Sequence, residues 1–173
     1  MKKNIQTVSA DVPDWSRESV TPGRYEPWKR LIRTIRQYQT NQGRLTKLTR
    51  PLIILRHRFW SVVCGSDIPI NAQLGGGVII LHPQGVVIHP DAVVGPNCLI
   101  LQQVTLGTGP KPGLPRIGGH VDIGAGAKIL GGVVIGDHAQ IGANAVVLQD
   151  IPSGTTAVGI PARIIGNNRE PNG

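Results

Sequence analysis

Ile117-Gly-Gly-His-Val-Asp, Ile123-Gly-Ala-Gly-Ala-Lys, Ile129-Leu-Gly-Gly-Val-Val, Ile135-Gly-Asp-His-Ala-Gln, Ile141-Gly-Ala-Asn-Ala-Val and Val147-Leu-Gln-Asp-Ile-Pro follow one another without a gap. An aliphatic residue opens every hexad, and Val121, Ala127, Val133, Ala139, Ala145 and Ile151 fill its fifth place. A period of six is too long for a helical turn and too regular for a chain of hairpins. It is the period of hexapeptide repeats that stack into parallel β-helices. Each hexad predicts one short flat strand and a turn. The large aliphatic side chain points into the core, the small residue four places later fills the corner, and Gly or Asn between them takes the backbone angles of a tight turn. One such strand buries almost nothing, so the coils must stack.

The composition agrees with one modest solenoid. The chain has 173 residues, 40% of them hydrophobic but only 3% aromatic, with 23 Gly and 14 Pro. Aliphatics, small residues and turns are what stacked coils require, and the length predicts a single domain. No apolar run reaches membrane-spanning length, and the first residues lack the apolar segment of a signal peptide, so a cytoplasmic protein is expected. Cys64 and Cys98 have no metal or redox spacing, and Cys98 falls on the fifth place of a hexad, as a small core residue.

The charge divides the chain. Residues 1–63 carry 13 Lys and Arg against 4 Asp and Glu, a balance of +9, whereas residues 64–173 carry 5 against 6. Residues 1–25 are polar and punctuated by proline, which predicts a flexible polar arm. Over 26–64 the pattern is helical and basic. Trp28, Leu31, Ile32, Ile35 and Tyr38 define a first helix at about 27–40, opened by Pro27. Leu45, Leu48, Leu52, Leu55 and Phe59, reaching Val62 and Val63, define a second, in which Pro51 threatens a break or kink. Three readings of these helices fit. The apolar stripe packs on the solenoid end or a neighbouring subunit while the arginines are solvated, or the pair lies on a membrane surface, or it meets an anionic carrier of the substrate. Nucleic acid is not expected, because no reader motif is present.

The solenoid is expected over 65–166, followed by a polar tail at 167–173. Ile68, Leu74 and Ile80 are six apart; the phase slips by two residues at His82-Pro-Gln-Gly85, then resumes at Ile88, Val94, Ile100 and Leu106. Eleven residues separate Leu106 from Ile117 instead of six, a five-residue surplus that predicts a loop ejected from a coil. Departures from a strict repeat cost packing, which makes them the places to look for chemistry. His82 stands at the first. Asp67 precedes it by fifteen residues, close to one eighteen-residue coil, so the two are expected on adjacent coils. A histidine can take the proton of an attacking hydroxyl, and a carboxylate can hold its ring in the accepting tautomer. The loop Gly107-Thr108-Gly109-Pro110-Lys111 offers backbone N–H groups and a cation to phosphates.

Asp67-Ile-Pro, His82-x-x-Gly85, Gln103-Val-Thr-Leu-Gly-Thr-Gly, Ile123-Gly-Ala-Gly-Ala-Lys-Ile-Leu-Gly and Gly159-Ile-Pro-Ala-Arg-Ile-Ile-Gly together resemble the serine acetyltransferases and the related hexapeptide-repeat sugar and polysaccharide O-acetyltransferases. The resemblance covers about residues 67–166. It implies a left-handed parallel β-helix of three hexads per coil, preceded by a short helical segment and assembled as a homotrimer with sites between subunits. Acetyl-CoA is implied as a cosubstrate rather than a tightly bound cofactor. It implies that His82 and Asp67 form the catalytic dyad, that Gly107, Thr108, Gly109 and Lys111 meet CoA, that Ala125, Gly126 and Ala143 let the pantetheine arm lie along the coil, and that Pro161 and Arg163 lie near the nucleotide. His89 and Gln103 are expected as acceptor contacts; His120 and His138 are read as solvated turn residues. No metal is expected.

Two departures bear on the acceptor. Leu81 stands where serine acetyltransferases carry an acidic residue, and Gly113-Leu114-Pro115 where they carry an Arg-His pair. A zwitterion's charges would lack partners there. The expectation is therefore a sugar or glycan-precursor hydroxyl attacked directly, with no acyl-enzyme, and serine as the alternative. A β-helix zinc carbonic anhydrase needs three converging histidines, a spacing that His82, His89 and His120 do not reproduce. A silent scaffold would not need both Asp67 and His82.

Overall fold

A computed structural model describes residues 8–41 and 46–167. The predicted hexads form a parallel β-helix of four coils, each contributing one strand to each of three faces. Strands β1 (Gln73–Leu74), β2 (Ile79–Ile80) and β3 (Val87–Ile88) make the first coil, and β4 (Val93–Val94), β5 (Leu99–Ile100) and β6 (Thr105–Gly107) the second. The third is β7 (Arg116–Ile117), β8 (Asp122–Ile123) and β9 (Lys128–Leu130), and the fourth β10 (Val134–Ile135), β11 (Gln140–Ile141) and β12 (Val146–Val147). The faces run β1-β4-β7-β10, β2-β5-β8-β11 and β3-β6-β9-β12. Where the repeat decays, β13 (Thr155–Val158) joins β11 and folds back antiparallel on β14 (Arg163–Asn167), closing the end of the second face.

Register locates both phase breaks. Ile135 pairs with Ile117, eighteen residues away, but Gln73 pairs with Val93 and Val93 with Arg116, so these coils are longer by two and by five. The core is a set of aliphatic ladders, one of them Ile80, Ile100, Ile123 and Ile141, all buried, with Ala72, Ala92, Cys98 and Val104 among the small buried residues at the fifth places. The turns explain the fourth place. Asn97, Gln103, His120, His138 and Asn144 all stand there with φ between 51° and 61°. Asn and His tolerate this left-handed region better than most side chains.

Helix α1 (Pro27–Thr40) buries Trp28, Leu31, Ile32 and Ile35 as expected. Helix α2 (Thr46–Cys64) is continuous through Pro51. Proline there falls near the start, where it removes one early backbone bond without ending the helix. Its apolar series does not pack on the solenoid of the same chain, one of the placements expected for it. Leu48, Leu52, Leu55, Phe59 and Val62 face solvent, and the opposite side, with His57, Trp60 and Cys64, packs inward. Leu45 lies outside the described residues.

The described part of the first 25 residues differs from the expected flexible arm. Those described from residue 8 lie across the solenoid, with a 3-10 turn at Trp15–Glu18. Asn97 is fully buried; its side chain accepts the Asp14 N–H at 2.8 Å and donates to the carbonyls of Ser9 at 2.7 Å and Val12 at 2.8 Å. The Glu18 carboxylate accepts from Arg36 of α1 at 2.8 and 3.0 Å and from the Val78 N–H at 3.1 Å. A polar segment is thus ordered by a few buried hydrogen bonds rather than by apolar burial.

His57 joins α2 to the first coil. Its Nε2 donates to the Ile68 carbonyl at 3.0 Å, and Nδ1 lies 3.0 Å from the Thr34 hydroxyl. Burial pushes the ring's pKa below its ordinary 6.5, partly opposed by the Ile68 bond. The fold therefore favours the neutral ring. The unfolded chain binds the extra proton first, so this contribution is complete above pH 6.5 and is lost as pH falls through the lowered folded value. Thermal melts between about pH 7.5 and about pH 5.5 should show Tm falling with acid, and His57→Gln should flatten that slope; an unchanged slope would remove His57 as its cause.

Candidate active site

The two phase breaks bring the expected residues to the third face and its two corners. Asp67 stands in register with Val87: its N–H donates to the Val86 carbonyl at 2.9 Å and its carbonyl accepts the Ile88 N–H at 3.0 Å. The exact coil neighbour of Asp67 is thus Val87, and His82 lies on the corner that leads into that strand. His82 is exposed with φ 55°, at the corner that carries the two inserted residues. Gly85, on the same corner, donates its N–H to the Gly65 carbonyl at 2.7 Å. The segments carrying Asp67 and His82 are therefore adjacent. Among the described residues of the single chain, no hydrogen bond or ion pair joins the two side chains.

Asp67, His89, Gly107 and Thr108 share one groove of about 460 Å³, with Pro69, Thr105 and Leu130 also on its walls. His89 Nδ1 accepts the Asp91 N–H at 3.1 Å. In the neutral ring the proton is consequently on Nε2. Gln103 stacks on the His82 corner, its N–H donating to the Gln84 carbonyl at 2.9 Å. The structure thus separates the two expected acceptor contacts, one at each end of the face.

Gly107 begins the ejected loop, and its carbonyl accepts the Gly131 N–H at 2.9 Å. Thr108 and Gly109 are exposed. Lys111 is not a free cation: its Nζ lies 3.0 Å from Asp150, whose carboxylate also accepts the Val134 N–H at 3.0 Å and is held below the ordinary carboxylate range by that bond first and by Lys111 second. A phosphate would have to compete with Asp150 for it. Ala125 and Gly126 lie on the corner below Gln103, with Ala143 on the next coil. A Cβ at Gly126 would meet the Asn144 side-chain oxygen, and φ there is 73°, so glycine is demanded twice. Ala143 lines a second groove of about 320 Å³ on the second face with Leu99, Leu101 and Thr156. Pro161 and Arg163 are exposed in the terminal hairpin, apart from the Asp67 groove.

Sequence reasoning missed His57, which fixes Ile68 beside Asp67; its only signal was a polar residue opposite the apolar series of α2. It also missed Thr105 and Leu130, ordinary outward members of their hexads. Neither cysteine suits nucleophilic attack, since both are buried and burial pushes Cys64 up to about 11 and Cys98 up to about 12. Among the described residues no cluster of three His, Cys, Asp or Glu side chains is placed to hold a metal. His120 and His138 lie with their Nδ1 atoms 2.9 Å apart. Their rings meet edge to face at the expected turn places, with His138 exposed and His120 half-buried.

Residues 115–149 match the family of bacterial transferase hexapeptide (six repeats). The chain is 55% identical over 108 residues to serine acetyltransferase 1, chloroplastic, of Arabidopsis thaliana, covering 61% of this chain and 34% of that protein. A solved serine acetyltransferase in complex with CoA superposes with a TM-score of 0.69 at 37% identity, covering 82% of this chain and 58% of the other. Soybean serine acetyltransferase complexed with serine superposes with a TM-score of 0.65 at 39% identity, covering 80% and 56%. The chain spans less than half the length of the curated relatives it matches. In repeat and register the chain is a hexapeptide-repeat β-helix, and it is similar to serine acetyltransferases over the part of them that it spans.

Proposed function

We propose that this chain is an acyltransferase that moves an acetyl group from acetyl-CoA to the hydroxyl of serine. The observation that carries this is the likeness to serine acetyltransferases, among them one solved with CoA and one with serine. The likeness to the structure with CoA covers 82% of the chain. His82 takes the hydroxyl proton as the oxygen attacks the thioester carbonyl; the C–S bond then breaks, and the departing thiolate takes the proton back from the imidazolium. Asp67 orients the ring. Proton transfer of this kind is worth roughly 10²–10⁴ in rate, and alignment of the two substrates adds to it. The open groove and the unjoined Asp67 and His82 side chains support a site completed by a neighbouring subunit, as in a homotrimer. Gly107, Thr108 and Gly109 would meet CoA, with Lys111 recruited from Asp150. The reaction needs no metal or tightly bound cofactor.

The acceptor has a second reading. Leu81 is 41% exposed beside His82, and Gly113-Leu114-Pro115 supplies no charged side chain. That favours an uncharged hydroxyl acceptor such as a sugar. Against it, Asp91 and Arg116 line a groove beside the ejected loop and offer one charge of each sign to a zwitterion. Thiol release from acetyl-CoA, measured against serine, homoserine and a panel of sugars and nucleotide sugars, decides between them. Serine turnover at least about tenfold above every sugar is expected, a margin that one well-paired charged group suffices to create. Turnover with a sugar alone would transfer the proposal to the second reading.

A further inference from the structure

We infer that the solvent face of α2 docks this protein onto the surface of an anionic lipid bilayer. Leu48, Leu52, Leu55, Phe59 and Val62 alternate at steps of four and three residues along nearly the whole helix, and each is 58–82% exposed. At about 100° per residue they form one stripe, and Arg56 and Arg58 fall about 80° to either side of its centre. Both arginines are exposed. An apolar stripe bordered by cations is the arrangement that lies in a headgroup layer, with leucines and an aromatic ring below and guanidinium groups at the phosphates. Among the described residues no helix is long and apolar enough to cross a membrane, so the contact is a surface one.

Charge selects the occupant. Neither α1 nor α2 contains an Asp or Glu, while together they contain eight Lys and Arg. The steps of four and three would also suit a second copy of α2. Two such helices face to face would bring their arginines together with no carboxylate in either helix to neutralise them. Anionic headgroups supply that neutralisation, at roughly fivefold in binding per cation near the surface. The two carboxylates nearest α1 are engaged: Glu18 with Arg36 and Glu26 with Lys29. This inference is independent of the acetyl acceptor.

Co-sedimentation with vesicles tests it. The full chain should pellet with vesicles containing about one third phosphatidylglycerol, at least about tenfold more tightly than with phosphatidylcholine alone, and should be released by about 0.5 M salt. Leu55→Glu with Phe59→Glu should abolish pelleting. Arg56→Glu with Arg58→Glu should weaken it by at least about tenfold, with Tm and thiol-release activity retained in both. Three results would overturn the inference: equal binding to neutral and anionic vesicles, undiminished binding by the Leu55 and Phe59 variant, or no lipid binding together with a lower solution mass for that variant. The last would assign the stripe to a second copy.

Discussion

His82→Asn is expected to lower the rate of acetyl transfer by roughly 10²–10⁴ while leaving the melting temperature nearly unchanged. Asparagine is the informative substitution because His82 occupies the left-handed region at φ 55°, which Asn adopts readily and Ala does not. His82→Ala would add backbone strain to the loss of the base. The side chain is exposed and makes no contact that holds the coil, so the ring is dispensable for folding. Acetyl-CoA affinity should be retained, because Gly107, Thr108 and Gly109, which are proposed to meet CoA, lie at the other corner. Asp67→Asn should lower the rate less, since it removes an orienting charge and keeps a hydrogen-bonding group. A His82→Asn enzyme with wild-type turnover would show that another group takes the proton.

Asn97→Ala carries the largest expected cost in stability. One buried side chain satisfies the Ser9 and Val12 carbonyls and the Asp14 N–H, and its backbone stands at φ 61°. Each orphaned group costs about 1–3 kcal/mol where water cannot replace the partner, and a left-handed alanine adds about 1 kcal/mol. Water reaching the loosened strap offsets part of this, so a net loss of about 3 kcal/mol is expected, or a Tm lower by about 6–12 °C for a chain of this size. Asn97→Gly separates the two causes: it relieves the backbone term and leaves the hydrogen bonds unmade, so it should recover about 1 kcal/mol. Proteolysis at residues 9–19 should accelerate in both variants. Melting of Asn97→Ala within about 2 °C of the parent would show that the strap contributes little to the fold.

The coils were legible because hexad phase is a strong repeated signal: each aliphatic first place and small fifth place demands the same geometry. The inserted residues at His82 and after Leu106 were legible for the same reason, as interruptions of that phase. Which strand faces Asp67 was not, since fifteen residues approximates a coil without fixing register, and the backbone bonds to Val86 and Ile88 settle on Val87. The face that α2 buries was illegible because both sides are apolar; Ile53, Ile54 and Trp60 compete with the Leu48 series, and His57 with its two partners decides the outcome. The strap was hidden by its composition. Polar residues at 9–19 announce no burial, and nothing in the sequence distinguishes Asn97 from Asn144, which takes the same turn in the open. Lys111 looked like a phosphate ligand because its partner, Asp150, is distant in sequence and adjacent only once the coils stack.

The measurement that reaches the central claim most directly is mass analysis of the products formed from acetyl-CoA and serine by the full chain, with the protein itself weighed during turnover. Free CoA and serine carrying one acetyl group on its oxygen are predicted, in equal amounts, and the protein mass should stay unchanged because attack is direct and both cysteines are buried. CoA released without any acetylated acceptor, across serine and the sugar panel, would contradict acetyl transfer, and an acetyl group found on the protein would contradict direct attack.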